Sequence, residues 1–386
     1  MKRAILAAAL MLAGAATAQT VTITPDNAAK LRQVGAEVLF WNQQQRDENF
    51  PAMEKLFPGH VVKAGGKVRS LPAGKQLAIP EGDLETAMTE LNIAGMIVVQ
   101  DGKVRLERYA RGYGPEGRWA SFSVAKSFTS TLVGAAIRDG YIKSIDDPVT
   151  TYIPDLAGGG YDGVTVRQLL TMTSGVKWNE DYTDPKSDVA RMFSEAVPAG
   201  ADPTVAYMKK LPRETAPGTK WVYKTGETNL IGVLVERATK KTLADYLSEK
   251  LWKPWGMERD AFWMVNPAGH EVSGCCLSVS LRDYARMGLF ALSGGKGVVP
   301  DGWFAAATTN QVPPTPDFIG GAGYGYQWWV LPGGRYAAIG IFGQSIMIDP
   351  ARKLVVAISS AWPTATGKDL SAKRNALWAK FETAAQ

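Results

Sequence analysis

Ala120-Ser-Phe-Ser-Val-Ala-Lys-Ser-Phe-Thr-Ser-Thr-Leu-Val-Gly-Ala-Ala-Ile-Arg-Asp-Gly140 is the stretch on which the reading of this chain turns. Phe128, Leu132, Ala135 and Ala136 recur at helical spacing. Asp139-Gly140 reads as the stop, because glycine suits the left-handed cap. Trp119 to Phe122 therefore lead into a buried helix whose first turn carries Ser123. Ser123 and Lys126 are three apart, so their side chains share one helix face. A serine hydroxyl needs a base within hydrogen-bond reach before it attacks at neutral pH. A lysine serves as that base when burial or nearby positive charge lowers its pKa. The N-terminus of a helix inside an apolar segment offers both conditions.

The same Ser-x-x-Lys pattern occurs three times. Ser174-Gly-Val-Lys177 follows Leu169-Leu-Thr-Met-Thr173 and reads as a turn after a helix, and Ser293-Gly-Gly-Lys296 reads as loop. Only the first copy sits where a helix can be buried. Pattern and context alone leave two readings of Ser123 and Lys126 open, a nucleophile with its base or an ordinary buried turn.

Composition narrows the class. A chain of 386 residues, 46% of them hydrophobic, supplies a large core in one large or two intimate domains. Residues 1–18 read as a cleavable export signal: a basic Lys2-Arg3, an apolar run from Ala4 to Ala13, and a small-residue cleavage site at Ala16-Thr17-Ala18. The run is too short to span a bilayer, and no later stretch is a membrane helix. The expected location is periplasmic or secreted, with the mature chain starting near Gln19. Loss of Lys2 and Arg3 takes the net charge from +6 to +4. No Lys/Arg cluster marks a nucleic-acid surface. His60 and His270 are the only histidines and lie far apart in sequence, without metal-ligand spacing, so neither metal nor cofactor is expected. No Gly-x-Ser-x-Gly elbow supports a Ser-His-Asp hydrolase. The adjacent Cys275 and Cys276 make at most a vicinal disulfide, and two small buried residues is the favoured reading.

Residues 19–90 form an N-terminal capping segment with no apparent chemistry; His60, within it, reads as a surface or packing residue. Met96-Ile-Val-Val99 and Val104-Arg-Leu-Glu-Arg-Tyr109 flank Asp101-Gly102, a favoured two-residue hairpin turn. Gly112-x-Gly114-x-x-Gly117 formally matches a dinucleotide fingerprint, but Pro115 interrupts it and no helix follows at once. Residues 178–203 are polar, with little periodicity, and long for a structureless connection; such a segment borders a site. Asn229–Thr239, Leu243–Trp252 and Leu281–Leu292 read as helices. Tyr324–Val330, Tyr336–Ile341, Gln344–Ile348 and Lys353–Ser359 return to extended chain, and Leu370–Phe381 is a closing helix. The expected fold is α/β (α+β): an antiparallel sheet from both chain ends, flanked by helices, with a mostly helical domain inserted. Within residues 91–386 the sheet lobe takes about 91–120 and 320–386, and the helical lobe about 121–319. A cleft between such lobes is a favoured ligand site.

Five motifs recur in one order: Ser123-Val-Ala-Lys126; Leu169-Leu-Thr-Met-Thr-Ser-Gly175; Pro217-Gly-Thr-Lys-Trp-Val-Tyr223 leading to Asn229; Leu277-Ser-Val-Ser-Leu-Arg-Asp283; and Phe342-Gly-Gln-Ser-Ile-Met-Ile-Asp-Pro350. Together, over Met96 to Ser360, they resemble the serine β-lactamase-like hydrolases: class C β-lactamases, DD-peptidases, esterases and the 6-aminohexanoate-dimer (nylon oligomer) hydrolases. The resemblance implies an acylated Ser123, Lys126 as its base partner, and Tyr223 as the proton relay to the leaving group. A tyrosine acting as a base needs its pKa lowered, which a neighbouring Lys126 ammonium could supply. Thr225 stands where the family has asparagine, as a substrate contact without the amide. The family's Lys-Thr-Gly or His-x-Gly strand falls on Arg335–Gly343, with either Arg335 or Ala338-Ile339-Gly340 at the motif. The second placement is preferred; it makes the backbone N–H groups of Ser123 and Ile341 the oxyanion hole and puts no cation there for a substrate carboxylate. Trp178-Asn-Glu-Asp-Tyr182 is similar to the substrate-closing loop of the nylon-oligomer group, with Tyr182 and Trp178 as substrate contacts. The implied activity is hydrolysis of a small-molecule ester or amide through an acyl-serine. The alternatives are a class C-type β-lactamase or DD-peptidase, and a non-catalytic penicillin-recognising envelope protein.

Overall fold

A computed structural model describes residues 24, 35, 37–198, 200–315 and 323–386. The export signal expected at residues 1–18 lies outside them. The stretch from Ala120 folds as a 3₁₀ turn, Phe122–Val124, feeding helix α1, Ala125–Arg138. Every residue from Ala125 to Ala136 is buried, so the helix runs through the interior instead of lying on it. Its polar residues survive there because each hydroxyl finds a carbonyl: Ser127 donates to Gln327 (2.7 Å), Thr129 to Ser273 (2.8 Å) and Ser130 to Tyr326 (2.6 Å). The helix stops where the sequence places the stop. Gly140, at φ +81°, lets its own N–H reach Ile137 O (3.0 Å) and the N–H of Tyr141 reach Ala136 O (2.9 Å).

Seven strands make the main sheet: β1 (Ile93–Gln100), β2 (Lys103–Tyr109), β3 (Gly323–Tyr324), β4 (Trp329–Val330), β5 (Tyr336–Ile339), β6 (Ser345–Asp349) and β7 (Leu354–Ser360). Their spatial order is β2-β1-β7-β6-β5-β4-β3, with every neighbouring pair antiparallel. The two chain ends meet at β1 and β7, where Val98 faces Val356 and Ile97 faces Ala357. Both strands are uninterrupted apolar runs because both are buried throughout their centres. Asp101 (φ 47°) and Gly102 (φ 73°) both take the left-handed conformation that the two-residue hairpin demands. Helix Leu281–Leu292 packs across β1, β6 and β7.

Three details differ from the sequence reading. A second sheet of four short strands joins Gly59–Val62, Ala261–Met264, Leu277–Val279 and Trp119–Ala120 in that order. It ties residues before the hairpin to the inserted helices and leads straight into Ser123; strands of two to four residues are too short to display alternation. Residues 178–203 are not structureless, since Asp188–Ser194 is a helix whose Ser187 cap accepts from the N–H of Ala190. Tyr324–Val330 is not one extended run; it bends between β3 and β4, with Gln327 at φ 62°.

Candidate active site

The 3₁₀ turn and the first turn of α1 carry Ser123 and Lys126 side by side, Nζ to Oγ 3.1 Å. Lys126 is 1% exposed. Its nitrogen also donates to Gly274 O (2.6 Å) and Thr225 Oγ1 (3.0 Å). Burial pulls its pKa down to about 7, against the opposing charge of Glu180. A neutral amine has two N–H donors and one lone pair. As an ammonium, Lys126 can donate to Gly274 O, Thr225 Oγ1 and Ser123 Oγ together; on losing a proton it can keep the first two and accept from the Ser123 hydroxyl.

Thr225 opens helix α2, Thr225–Thr239, which packs against α1. Just before it, Tyr223 lines the same cavity as Ser123. Its ring stacks on Trp329 (centroids 5.7 Å apart, planes at 19°), and Lys126 Nζ lies 5.2 Å from the ring centre. The phenol pKa is not lowered as expected but raised, by burial and then by the charge of Glu180, and the nearby Ser123 hydroxyl offsets only part of this. The reason is burial of the phenol itself, which outweighs every lowering influence. Burial thus favours proton loss from Lys126 and opposes it at Tyr223.

The two placements of the third motif are distinguished by position. Arg335 pairs through Nη1 with both carboxylate oxygens of Glu382 (2.9 Å each), on the C-terminal helix Lys368–Ala384. Ile339, Gly340 and Ile341 instead line one cavity with Ser123. A Cβ on Gly340 would lie 2.6 Å from Ser121 O and 3.1 Å from Ser123 N, so this strand end runs against the backbone of Ser123. The ladder ends at Gly340, whose N–H donates to Gln344 O (2.8 Å), and Ile341 follows it.

That cavity holds about 420 Å³, within the range of small-molecule sites. Tyr182 lines it and donates to Glu180 Oε1 (2.8 Å). Trp178 does not line it, contrary to expectation. Its indole packs edge-on against Tyr207 and donates to Glu180, because an apolar ring on this loop is more stable turned inward. The hydroxyl of Thr225 is taken up between Lys126 and Glu180 rather than offered to a substrate. Cys275 and Cys276 are joined in a disulfide, which corrects the reading of two separate thiols. Of the other Ser-x-x-Lys serines, Ser174 donates to the buried Glu227 and Ser293 to Phe290 O (2.7 Å). Among the described residues no group of His, Cys, Asp and Glu is arranged to hold a metal ion.

Two residues of the site are given no role by sequence reasoning. Glu180 accepts from the backbone N–H of Thr225 (2.9 Å) and from the side chains of Thr225, Tyr182 and Trp178, which makes it the hub of the loop. The available signal was its place between two aromatic residues. Arg374 lines the cavity at 7% exposure, and its guanidinium carbon lies 4.5 Å from the Trp378 ring centre and 5.7 Å from that of Trp362. It donates to Asn375 Oδ1 (3.1 and 3.3 Å) and, among the described residues, pairs with no carboxylate. Burial alone pulls its pKa down to about 10. The signal was an arginine four residues before a tryptophan on the closing helix.

Comparison with known proteins adds independent findings. The profile of the beta-lactamase family matches residues 82–379. The chain is 33% identical, over 298 residues, to a 6-aminohexanoate-dimer hydrolase of Paenarthrobacter ureafaciens, covering 73% of this chain and 76% of that one. It is 28% identical over 151 residues to a beta-lactamase of Escherichia coli (strain K12), covering 39% and 35%. Among solved structures, a candidate 6-aminohexanoate-dimer hydrolase from Bacillus anthracis superposes with a TM-score of 0.77 at 20% identity, over 94% of this chain and 98% of that one. EstCE1, a hydrolase with promiscuous acyltransferase activity, superposes at 0.63 and 16% identity, over 77% and 97%.

Proposed function

The chain belongs to the beta-lactamase family and is a serine hydrolase homologous to 6-aminohexanoate-dimer hydrolase, and on that premise we propose that it cleaves ester or linear amide bonds of small molecules through an acyl-Ser123 intermediate. One observation carries the reading: a buried lysine amine within hydrogen-bond distance, 3.1 Å, of the Ser123 hydroxyl. Ser123 Oγ bonds to the substrate carbonyl carbon while its proton passes to Lys126 Nζ. The negative charge collects on the carbonyl oxygen, where the N–H groups of Ser123 and Ile341 meet it. The carbonyl re-forms and the bond to the leaving group breaks. The proton on Lys126 reaches the leaving oxygen or nitrogen through the Tyr223 phenol, which gives one proton and receives another. Water then repeats the sequence on the acyl-enzyme, with Lys126 as its base, and Ser123 leaves with a proton restored.

Arg374 supports a substrate that carries an anionic group in addition to the scissile bond, since its desolvated charge lines the cavity and, among the described residues, pairs with no carboxylate. It also favours a second reading, a β-lactam, which carries a carboxylate. Export belongs to the same proposal. The leader-like residues 1–18 support it, and so does a disulfide, which persists in oxidising compartments.

The test compares chromogenic esters with and without a terminal carboxylate, and nitrocefin, on the wild type, Ser123→Ala and Arg374→Gln. Ser123→Ala is expected to lose turnover of all three with an unchanged melting temperature. Arg374→Gln is expected to raise KM for the acidic ester by about tenfold or more, the scale of a hydrogen bond to a charged group, and to spare the neutral ester. Retained turnover by Ser123→Ala overturns the proposal; nitrocefin hydrolysis rivalling the esters promotes the second reading.

A further inference from the structure

The Cys275–Cys276 disulfide lies in a segment that does more than close the core. Gly274 O, one residue before it, is the acceptor 2.6 Å from Lys126 Nζ. Gly274 N–H donates to Asn229 Oδ1 on α2 (2.7 Å), and Ser273 is fastened to both helices, through Thr129 Oγ1 to its O (2.8 Å) and its own Oγ to Thr228 O (3.0 Å). Beyond the disulfide, Leu277 N–H donates to Ser121 Oγ (3.1 Å) and Leu277 O accepts from Ser121 N–H (3.0 Å), two residues before the nucleophile. Residues 273–277 therefore bridge the elements that carry Ser123, Lys126 and Thr225. Both cysteines line a small cavity together with Ser123, Thr225, Tyr182 and Ile341. Cys276 adopts a left-handed backbone, φ 69°, which residues other than glycine rarely take. A disulfide between adjacent residues closes a small ring through their shared peptide bond. It removes the rotations by which that backbone would relax.

We propose that the Cys275–Cys276 disulfide is a positioning device for the hydrolytic reaction: it holds the Gly274 carbonyl where Lys126 must be anchored, and its cleavage by a thiol reductant lowers turnover. The inference rests on the proposed role of Lys126 as base. Cys275 is the partly exposed member of the pair and Cys276 is buried, so exchange begins at Cys275. A thiolate of dithiothreitol bonds to Cys275 Sγ, the S–S bond breaks and Cys276 leaves as a thiolate that takes up a proton. The second reductant thiol, as its thiolate, then bonds to the reductant sulfur of the mixed disulfide; that sulfur's bond to Cys275 breaks, Cys275 leaves as a thiolate that takes up a proton, and the reductant departs as a cyclic disulfide. The protein gains two electrons and two protons, and the dithiol is oxidised. With the ring open, the 274–276 backbone loses its constraint, and the amine loses its fixed place opposite Ser123. Misplacement of a reacting group by about 1 Å costs on the order of 10²-fold.

The experiment measures ester kinetics on the folded enzyme before and after dithiothreitol, with thiols counted by intact mass, beside the double variant Cys275→Ser/Cys276→Ser. The expected result is a kcat lowered at least tenfold on reduction with KM changed less than threefold. Reoxidation restores kcat, and the double variant sits at the reduced value and ignores reductant. If the variant fails to fold, reduction of folded wild type still decides. Unchanged kcat in enzyme that carries two counted thiols overturns the proposal, as does a change confined to KM, which would make the disulfide only a cavity wall. Two free thiols in enzyme purified without reductant also overturn it. Each of those failures leaves Ser123-dependent turnover intact, so it is distinct from a failure of the hydrolase reading.

Discussion

Lys126 must be neutral to take a proton from Ser123, and its surroundings pull in two directions. Burial lowers its pKa to about 7, and Glu180 raises it. Activity in the free enzyme is therefore expected to climb with pH through about 7 and then level off, as the ammonium is lost. Glu180→Gln removes the opposing charge while an amide oxygen can still accept from the N–H of Thr225. The acid limb of the kcat/KM profile should then move to lower pH, and a limb that stays put or moves up would contradict the assignment. Ser123 and Lys126 were legible because they share a helical face in a buried run. Glu180 was not, because an acid in a polar loop has no period, and only the fold shows four groups converging on it. Tyr223 was legible as a residue but not in its protonation. The sign of a pKa shift depends on which neighbour is desolvated more, and sequence spacing does not carry that.

The element that most directly meets the nucleophile is the end of β5. Gly340 lies extended (φ −115°, ψ 155°) and Ile341 begins a 3₁₀ turn, Ile341–Gly343. Proline is tolerated at the first position of such a turn, and an extended residue suits the position before it. Ile341→Pro thus deletes one N–H with little other change. A fall in kcat of about 10²–10³-fold is expected, with KM and melting temperature near the wild type; an unaltered kcat would remove Ile341 from the oxyanion hole. Strand β5 could be placed from its apolar residues, yet the length of the loop between the motif and Phe342 left two placements, with Arg335 or Ala338 at the motif. The pairing of Arg335 with Glu382 on the C-terminal helix and the place of Ile339 to Ile341 beside Ser123 distinguish them. That helix itself was foreseen at 370–381, but Arg374 was not, because its role appears only when Trp362 and Trp378 close over it.

Across the molecule, the two histidines join distant segments. His60, on Gly59–Val62, hydrogen-bonds Glu271 (2.8 Å), and His270 hydrogen-bonds Glu236 on α2 (2.6 Å). His60 is thus no mere surface or packing residue. Its pKa is raised by the Glu271 hydrogen bond and that of His270 by the Glu236 hydrogen bond, with burial opposing both; Asp245 and Asp202 add negative charge. Glu236 is also raised, by burial and by Glu271. Glu271 is lowered because His60, Glu236 and the N–H of Ala244 outweigh its burial. The two raised histidines contribute stability that is complete below about pH 6.5 and is lost as pH rises through their folded-state pKa values, and the cost of ionising buried Glu236 grows with pH from about 4.5 to about 8; Glu271 contributes stability that is lost on strong acidification. The melting temperature should therefore fall from pH 6 to pH 9, and fall less steeply in His60→Gln; a melting temperature that rises over that interval would contradict this. The large-scale architecture was legible because long apolar runs at both ends have nowhere to go but one sheet. The small sheet and the histidine ties were not, because they join short segments far apart in the chain. The central claim is the acyl-enzyme on Ser123, and intact-mass spectrometry of the enzyme quenched during turnover of a slowly hydrolysed ester tests it most directly. The account predicts one added acyl group, mapped by peptide digestion to Ser123 and absent from Ser123→Ala. Turnover without that adduct in a rapid-quench series, or an adduct on another residue, would contradict it.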